Sequence, residues 1–417
     1  MSRKEGYDRR RALAWAMYDW GNSAFATSVM AAFFPIFLGD YWLGESKVNS
    51  TFVLGTTNSA SGLIVMLSAP LLGAIADRMS ARKGNLLLFA VVGATSTAAL
   101  TFLQPGQWLA AAVLFGIAAV GFSAANIFYD ALLVGVAPPP KRDFVSSLGF
   151  AAGYLGGSLL FIVHALMINW PEWFGLQDRA MAVRVSFLTV AVWWVVFTIP
   201  LLLRVPEPPG VSPARGWQAL RSGLAGLAST LRQVKAHRPV LLFLVGYWLY
   251  IDGVHTIIRM ALDFGRQIGF GTSDLVLALL ITNLVGFPAT LGFGRLGERI
   301  GSKAGILLAL GVYCAVALSA WFIDRVWHFY VLAVAIGLVQ GGVQSLSRSF
   351  YSRIIPQDKS AEFFGFYNML GKFAVVLGPF VVGGVSVLTG SPRVSIMSVL
   401  VFFVVGGAIL AMVREGK

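Results

Sequence analysis

Apolar runs of roughly twenty residues or more follow one another along nearly the whole chain, separated by short polar segments. This pattern predicts about twelve transmembrane helices, at 12–40, 49–76, 84–103, 107–135, 144–168, 181–203, 239–263, 272–294, 304–323, 328–352, 360–386 and 393–413. The runs are continuous, not alternating segments of ~10 residues, so the expected class is all-α and integral to a membrane rather than a β-barrel. No small-residue cleavage site follows the first run, which therefore reads as a retained helix. The longest polar stretch separates two six-helix halves, giving 1–203, a linker at 204–238, and 239–417. In the linker, Pro206, Pro208 and Pro209 end the preceding helix. Ser212 and Pro213 then open a new one, with Trp217, Leu220, Leu224, Leu227, Leu231 and Val234 on one apolar face. That segment is expected to lie on the membrane surface.

Charge fixes the orientation of this arrangement. Of the 32 Lys and Arg residues, about 23 fall at the termini and in the even-numbered connections, and about six in the odd-numbered ones. The net charge of +13 is thus a topology signal, with both termini expected on the cytoplasmic side, and it gives no support to nucleic-acid binding. Only 12% of residues are charged and 57% are hydrophobic, far from the composition of a soluble protein. Trp170, Trp173 and Trp327 fit interfacial anchors. Four His and one Cys, without metal-ligand spacing or a nucleophile elbow, speak against an enzyme and against a resident cofactor. A phosphate-binding G-x-x-x-x-G-K-[ST] loop does not occur, so any energy must come from a gradient of protons, Na⁺ or the solute itself.

The halves echo each other. GAIADRMSARK at 73–83 answers to GRLGERIGSK at 294–303, aligning Asp77 with Glu298, Arg78 with Arg299 and Arg82 with Lys303. Pro140 precedes Gly149 by the interval at which Pro356 precedes Gly365. The repeated loop resembles the cytoplasmic signature of the major facilitator superfamily, with Ser80 standing where the family usually has Gly and Ala81 spacing it from Arg82. YDWGNSAF at 18–25, NIFYDALL at 126–133 and GGVQSLSRS at 341–349 resemble its vacuole-effluxer-like group, which is similar to the fungal vacuolar amino-acid effluxers and has many bacterial members. The resemblance implies two pseudo-symmetric six-helix bundles in a bacterial inner membrane, acting as a monomer, with movement from lumen to cytosol corresponding to uptake. It also implies a conformational latch at Asp77, Arg78, Arg82, Glu298 and Arg299, and a central cavity lined by helices 1, 4, 7 and 10.

Polar residues at membrane depth cost roughly 2.5–3.5 kcal/mol each at a helix centre, so they persist where they face a cavity or a partner. They gather on those four helices: Asp19 and Asn22; Asn126 and Asp130; Asp252, His255 and Arg259; Gln340, Gln344 and Arg348. Each set lies at helical spacing on one face. Asp19, Asp130 and Arg348 are expected at similar depth as a charge-paired inner gate. Asp252, near mid-membrane, is expected to exchange a proton, with Asp19 and Asp130 below it. Lys372 reaches the cavity from helix 11. Both signs of charge suit a small zwitterion, an amino acid or short peptide, carried with protons or Na⁺. A lipid or lysolipid flippase and a non-transporting sensor or scaffold remain the alternatives.

Overall fold

The computed structural model describes residues 7–44, 46, 48–207, 232–234, 237–374 and 377–414. The surface helix expected in the linker therefore falls almost wholly outside the described residues. Among the described residues, twelve helices are long and apolar enough to cross a membrane. They are α1 (Arg9–Leu43), α2 (Ser50–Arg78), α3 (Arg82–Phe102), α4 (Trp108–Val136), α5 (Pro139–Asn169) and α6 (Arg179–Arg204) in the first half. The second half holds α7 (Arg238–Ile258), α8 (Leu277–Ile300), α9 (Ser302–Phe322), α10 (Val326–Ile354), α11 (Gln357–Thr389) and α12 (Pro392–Met412). The helix of α7 continues beyond this apolar span to Gln267.

Each half packs in the same way. α1 lies on α5 and α6, α2 on α4, and α3 on α4 and α6. In the second half α7 packs on α12 and α11, α8 on α10, and α9 on α10 and α12. The duplication read from two short motifs thus extends to the helix neighbours. The halves meet along two equivalent seams, α2 against α11 and α5 against α8. Small residues let the backbones approach there. A Cβ added to Gly73 would fall 2.1 Å from the Ala361 carbonyl oxygen, and one added to Gly365 would fall 2.5 Å from that of Ala69.

α1 is not uniformly α-helical. Its stretches Phe25–Phe33 and Leu38–Leu43 are π-helical, which widens the helix just beyond Asp19 and Asn22. The apolar period carries no signal for this. The loop after α2 turns through Ser80, which adopts a left-handed conformation at φ 48°. The equivalent Gly301 also has a positive φ, 86°. The departure from glycine at Ser80 thus leaves the turn in place and puts a side chain on it.

The termini and the basic connections share one end of the bundle. Lys303 Nζ donates to the carbonyls of Ala411 and Val413 near the C-terminus. Tyr7 and Arg9, near the N-terminus, share a surface groove with Lys141 and Glu298. This is called the basic end below.

Candidate functional site

Between the halves lies a cavity of about 450 Å³. Asp19 and Asn22 reach it from α1, Asn126 and Asp130 from α4, His255 from α7, Gln340, Gln344 and Arg348 from α10, and Lys372 from α11. Polar residues from each of the four stripes therefore converge on one space, with His255 alone from the α7 set. Asn22 Nδ2 donates to Asn126 Oδ1 at 2.7 Å, fixing α1 against α4 on the cavity wall.

Arg348 forms the floor. Its side chain is 3% exposed, and its donors are nearly all engaged across the boundary between the halves. Nε donates to Ser146 Oγ at 2.9 Å and Nη2 to the Ser146 carbonyl at 2.7 Å, both on α5. Nη1 donates to Asp130 Oδ1 at 3.0 Å and lies 3.6 Å from Asp19 Oδ2. The second oxygen of Asp130 accepts from Asn368 of α11 at 3.1 Å, and Asp19 accepts from the Tyr129 hydroxyl at 2.9 Å. Trp15, Tyr129 and Phe150 close around the guanidinium, with its carbon 4.8, 5.3 and 4.3 Å from the ring centroids. A cation bonded to carboxylates and packed on aromatic faces is stabilised where a bare one is not. The expected cluster of Asp19, Asp130 and Arg348 is thus assembled, and Ser146 and the aromatic cage are additions to it.

Below the floor, ties between the halves continue to the basic end. Ser146 and Ser147 bond to Ser345. Arg142 donates to the Ser352 carbonyl and to Gln357 Oε1. Asp143 accepts from Ser302 and pairs with Arg353. Lys141 pairs with Glu298 at 3.2 Å. On the opposite seam, Asp77 is 2% exposed and accepts from the Ala361 and Glu362 backbone N–H groups at 3.1 and 2.8 Å. Those groups open α11, where a helix N-terminus attracts a carboxylate. Arg82 pairs with Asp77 at 2.6 Å and donates to the Asp358 carbonyl. The basic end is therefore sealed.

The latch differs in detail from its sequence reading. The base paired with Asp77 is Arg82; among the described residues, Arg78 and Arg299 make no side-chain hydrogen bond or ion pair. Glu298 meets a lysine side chain, whereas its counterpart Asp77 meets a helix terminus, so the repeated motif makes unlike contacts. Glu207, beyond α6, was not singled out. Its carboxylate accepts from the Arg82 and Lys83 N–H groups at 2.8 Å each and caps α3. Burial pushes its carboxyl above the ordinary range, against the pull of those N–H groups and of both basic side chains.

Two of the expected cavity residues need correction or restriction. Asp252 is fully buried and does not line the cavity. Its Oδ1 accepts from the Gly378 N–H at 3.0 Å and from the Thr256 hydroxyl at 3.4 Å, so it faces α11. The cavity stripe of α7 is Tyr247, Ile251, His255 and Ile258. Asp252 stands one residue from Ile251, about 100° around the helix. Arg259 lies on the helix, with its side chain outside the described residues. Sequence reading also missed Tyr154, Tyr247, Tyr367 and Asn283, all of which line the cavity. Tyr247 alone stands in step with a polar stripe, eight residues before His255; Tyr154, Asn283 and Tyr367 come from helices without one.

The family described as "Vacuole effluxer Atg22 like" matches this chain over residues 40–139 and 137–417. The chain is 36% identical over 406 residues to the MFS-type transporter YxiO of Bacillus subtilis (strain 168), covering 96% of this chain and 94% of that one. It is 23% identical over 471 residues to Autophagy-related protein 22 of Eremothecium gossypii, covering 96% and 91%. Among solved structures, it superposes on FucP in the outward conformation with a TM-score of 0.74 at 12% identity, covering 98% and 100%. On the proton:xylose symporter XylE the TM-score is 0.72 at 15% identity, covering 98% and 95%. The fold is that of the major facilitator superfamily.

Proposed function

The chain belongs to the vacuole effluxer Atg22-like family of MFS-type transporters, and from that premise we propose that it moves a small zwitterion, an amino acid or short peptide, by alternating access. The observation that carries this reading is the pairing of signs across one cavity. Asp19 of the first half and Lys372 of the second face the same space of about 450 Å³, a size within the usual range for small-molecule sites. An ammonium group directed to Asp19 and a carboxylate directed to Lys372 would bridge the halves. Asn22, Asn126, His255, Gln340 and Gln344 supply the hydrogen bonds that orient the remainder.

The seal at the basic end supports a cavity loaded from the opposite side. With the basic end cytoplasmic, as the distribution of Lys and Arg supports, loading is from outside and release is inward. The expected setting is a bacterial cytoplasmic membrane, with the chain acting as a monomer. Coupling to protons is assigned to Asp19 and Asp130. Both touch the Arg348 clamp, so a proton on either weakens the tie that must break for the basic end to open. Na⁺ coupling is the competing possibility.

A thermal-shift screen of the purified protein against amino acids, peptides, sugars, nucleosides and lysolipids tests the substrate class, because a bound ligand stabilises by mass action. Stabilisation by amino acids or peptides, lost in Lys372→Met, is the expected result. Stabilisation by sugars or lysolipids alone would overturn it.

A further inference from the structure

A second concavity, of about 470 Å³, opens at the basic end, apart from the central cavity. Three cations surround it: Arg9 at the start of α1, Lys141 at the start of α5 and Arg295 near the end of α8. Glu298 also lines it and engages Lys141 through both carboxylate oxygens at 3.2 Å, so two positive charges are left over. The remaining wall is apolar and includes Leu13 and Leu148. Leu13, one turn into α1 from Arg9, is 51% exposed, so an apolar side chain lies open beside the charges. The Arg295 guanidinium lies 5.2 Å from the Phe144 ring centroid, which holds it at the border between the charged and apolar parts. Burial pushes the Tyr7 phenol up, against the pull of Arg9 and Lys141, so it stays a neutral O–H donor at the rim.

We propose that this groove binds an anionic phospholipid, its phosphate head group between Arg9, Lys141 and Arg295 and an acyl chain along Leu13 and Leu148. The cations sit at helix ends, at head-group depth, while the leucines continue towards the bilayer interior. A basic pocket between helix ends on the cytoplasmic side suits such a head group, and a free anion would leave the apolar wall unused. Arg9 and Lys141 belong to the first half and Arg295 to the second. A lipid held by both sides therefore favours the state in which the basic end is closed, and anionic lipid content would set the resting conformational balance.

The test compares the delipidated protein with its Arg9→Gln/Arg295→Gln variant by native mass spectrometry and thermal shift. Phosphatidylglycerol, phosphatidylcholine and inorganic phosphate are titrated separately, without any transported solute. Phosphatidylglycerol should bind the wild type and bind the variant about 25-fold more weakly, about fivefold for each guanidinium removed. Phosphatidylcholine should bind both proteins weakly, and phosphate should not stabilise either. Equal phosphatidylglycerol binding by the two proteins, or equal binding of the two lipids by the wild type, overturns the proposal. A full thermal shift from phosphate alone assigns the groove to a free anion and overturns the lipid. Should the glutamine variant fail to fold, Arg9→Lys/Arg295→Lys carries the test: it keeps both charges and should retain the lipid, and loss of the lipid there is the opposing result.

Discussion

Arg348 on α10 and Asp130 on α4, 218 positions apart in sequence, meet at 3.0 Å across the boundary between the two halves. The pair closes the cavity floor, and its loss should be felt in both stability and conformation. In Asp130→Asn the guanidinium stays buried with one fewer anion. The expected cost is about 3 kcal/mol, the usual penalty for removing one partner of a buried pair. A clearly lower melting temperature, with longer spin-label distances across the basic end, is the expected outcome. Unchanged values for both would mean that the pair does not clamp the halves.

Gly73 tests the α2–α11 seam. Its missing Cβ would fall 2.1 Å from backbone of α11, which cannot move aside as a side chain can. Gly73→Ala should force the seam apart at a cost of about 1–3 kcal/mol and populate the state open at the basic end. Gly84→Ala, where an added Cβ meets nothing within 4 Å, is the control and should leave the distance distribution alone.

Asp77→Asn removes charge from a site that joins Arg82 to the N-terminus of α11. The inward–outward balance should shift while substrate affinity within each state stays nearly constant, because Asp77 lies outside the cavity lining. Distance measurements that match the wild type would leave Asp77 a local helix cap.

The turn at Ser80 carries strain that glycine would relieve. A left-handed residue with a Cβ costs about 1–2 kcal/mol. Ser80→Gly should therefore raise the thermal midpoint by an amount equivalent to about 1 kcal/mol, less the greater entropy that glycine loses on folding. Gly301→Ala should lower it. A fall in Ser80→Gly would show that the serine side chain stabilises the loop more than its backbone strains it.

Asp19 and Asp252 separate coupling from structure. Asp19 faces the cavity and touches the clamp, whereas Asp252 is sealed against Gly378. In proteoliposomes, Asp19→Asn should abolish both accumulation against a gradient and the pH dependence of uptake, and should weaken counterflow because Asp19 also receives the substrate's ammonium group. Asp252→Asn should lower the melting temperature and keep the pH dependence of uptake. The reverse assignment of phenotypes would return the coupling role to Asp252.

Much of this arrangement is legible in the amino-acid sequence. Lipid demands apolar surface over the full length of every span, so the twelve runs stand out, and a polar residue inside a run marks a cavity or a partner. That logic brought Asp19, Asp130 and Arg348 together correctly. It failed where orientation hinged on a fraction of a helical turn. Asp252 and His255, three apart, look like one face, yet the offset carries Asp252 out of the stripe and onto the Gly378 N–H. Aromatic residues were equally opaque, since Trp15 around Arg348 and Tyr367 in the cavity read in sequence like any lipid-facing or core ring. Ser146 contributes a backbone carbonyl as well as its hydroxyl, and no side-chain pattern announces a carbonyl. The widened turn at Phe25–Phe33 packs against α5 and α6 and the one at Leu38–Leu43 against α4 and α2, long-range contacts that a periodicity cannot register.

The division of the clamp between the two halves also bears on how the chain is made. Asp19 and Asp130 enter the membrane with the first half, and their counter-charge arrives on α10. At ordinary rates of synthesis the 218 residues from Asp130 to Arg348 take about 10–40 s to emerge. Over that interval α1 and α4 hold their carboxylates without the guanidinium, with Tyr129 already available to Asp19 from within the same half. A nascent chain halted before α10 thus carries both carboxylates without their counter-charge, and the seal of the basic end is complete only once α11 follows with the N–H groups that meet Asp77.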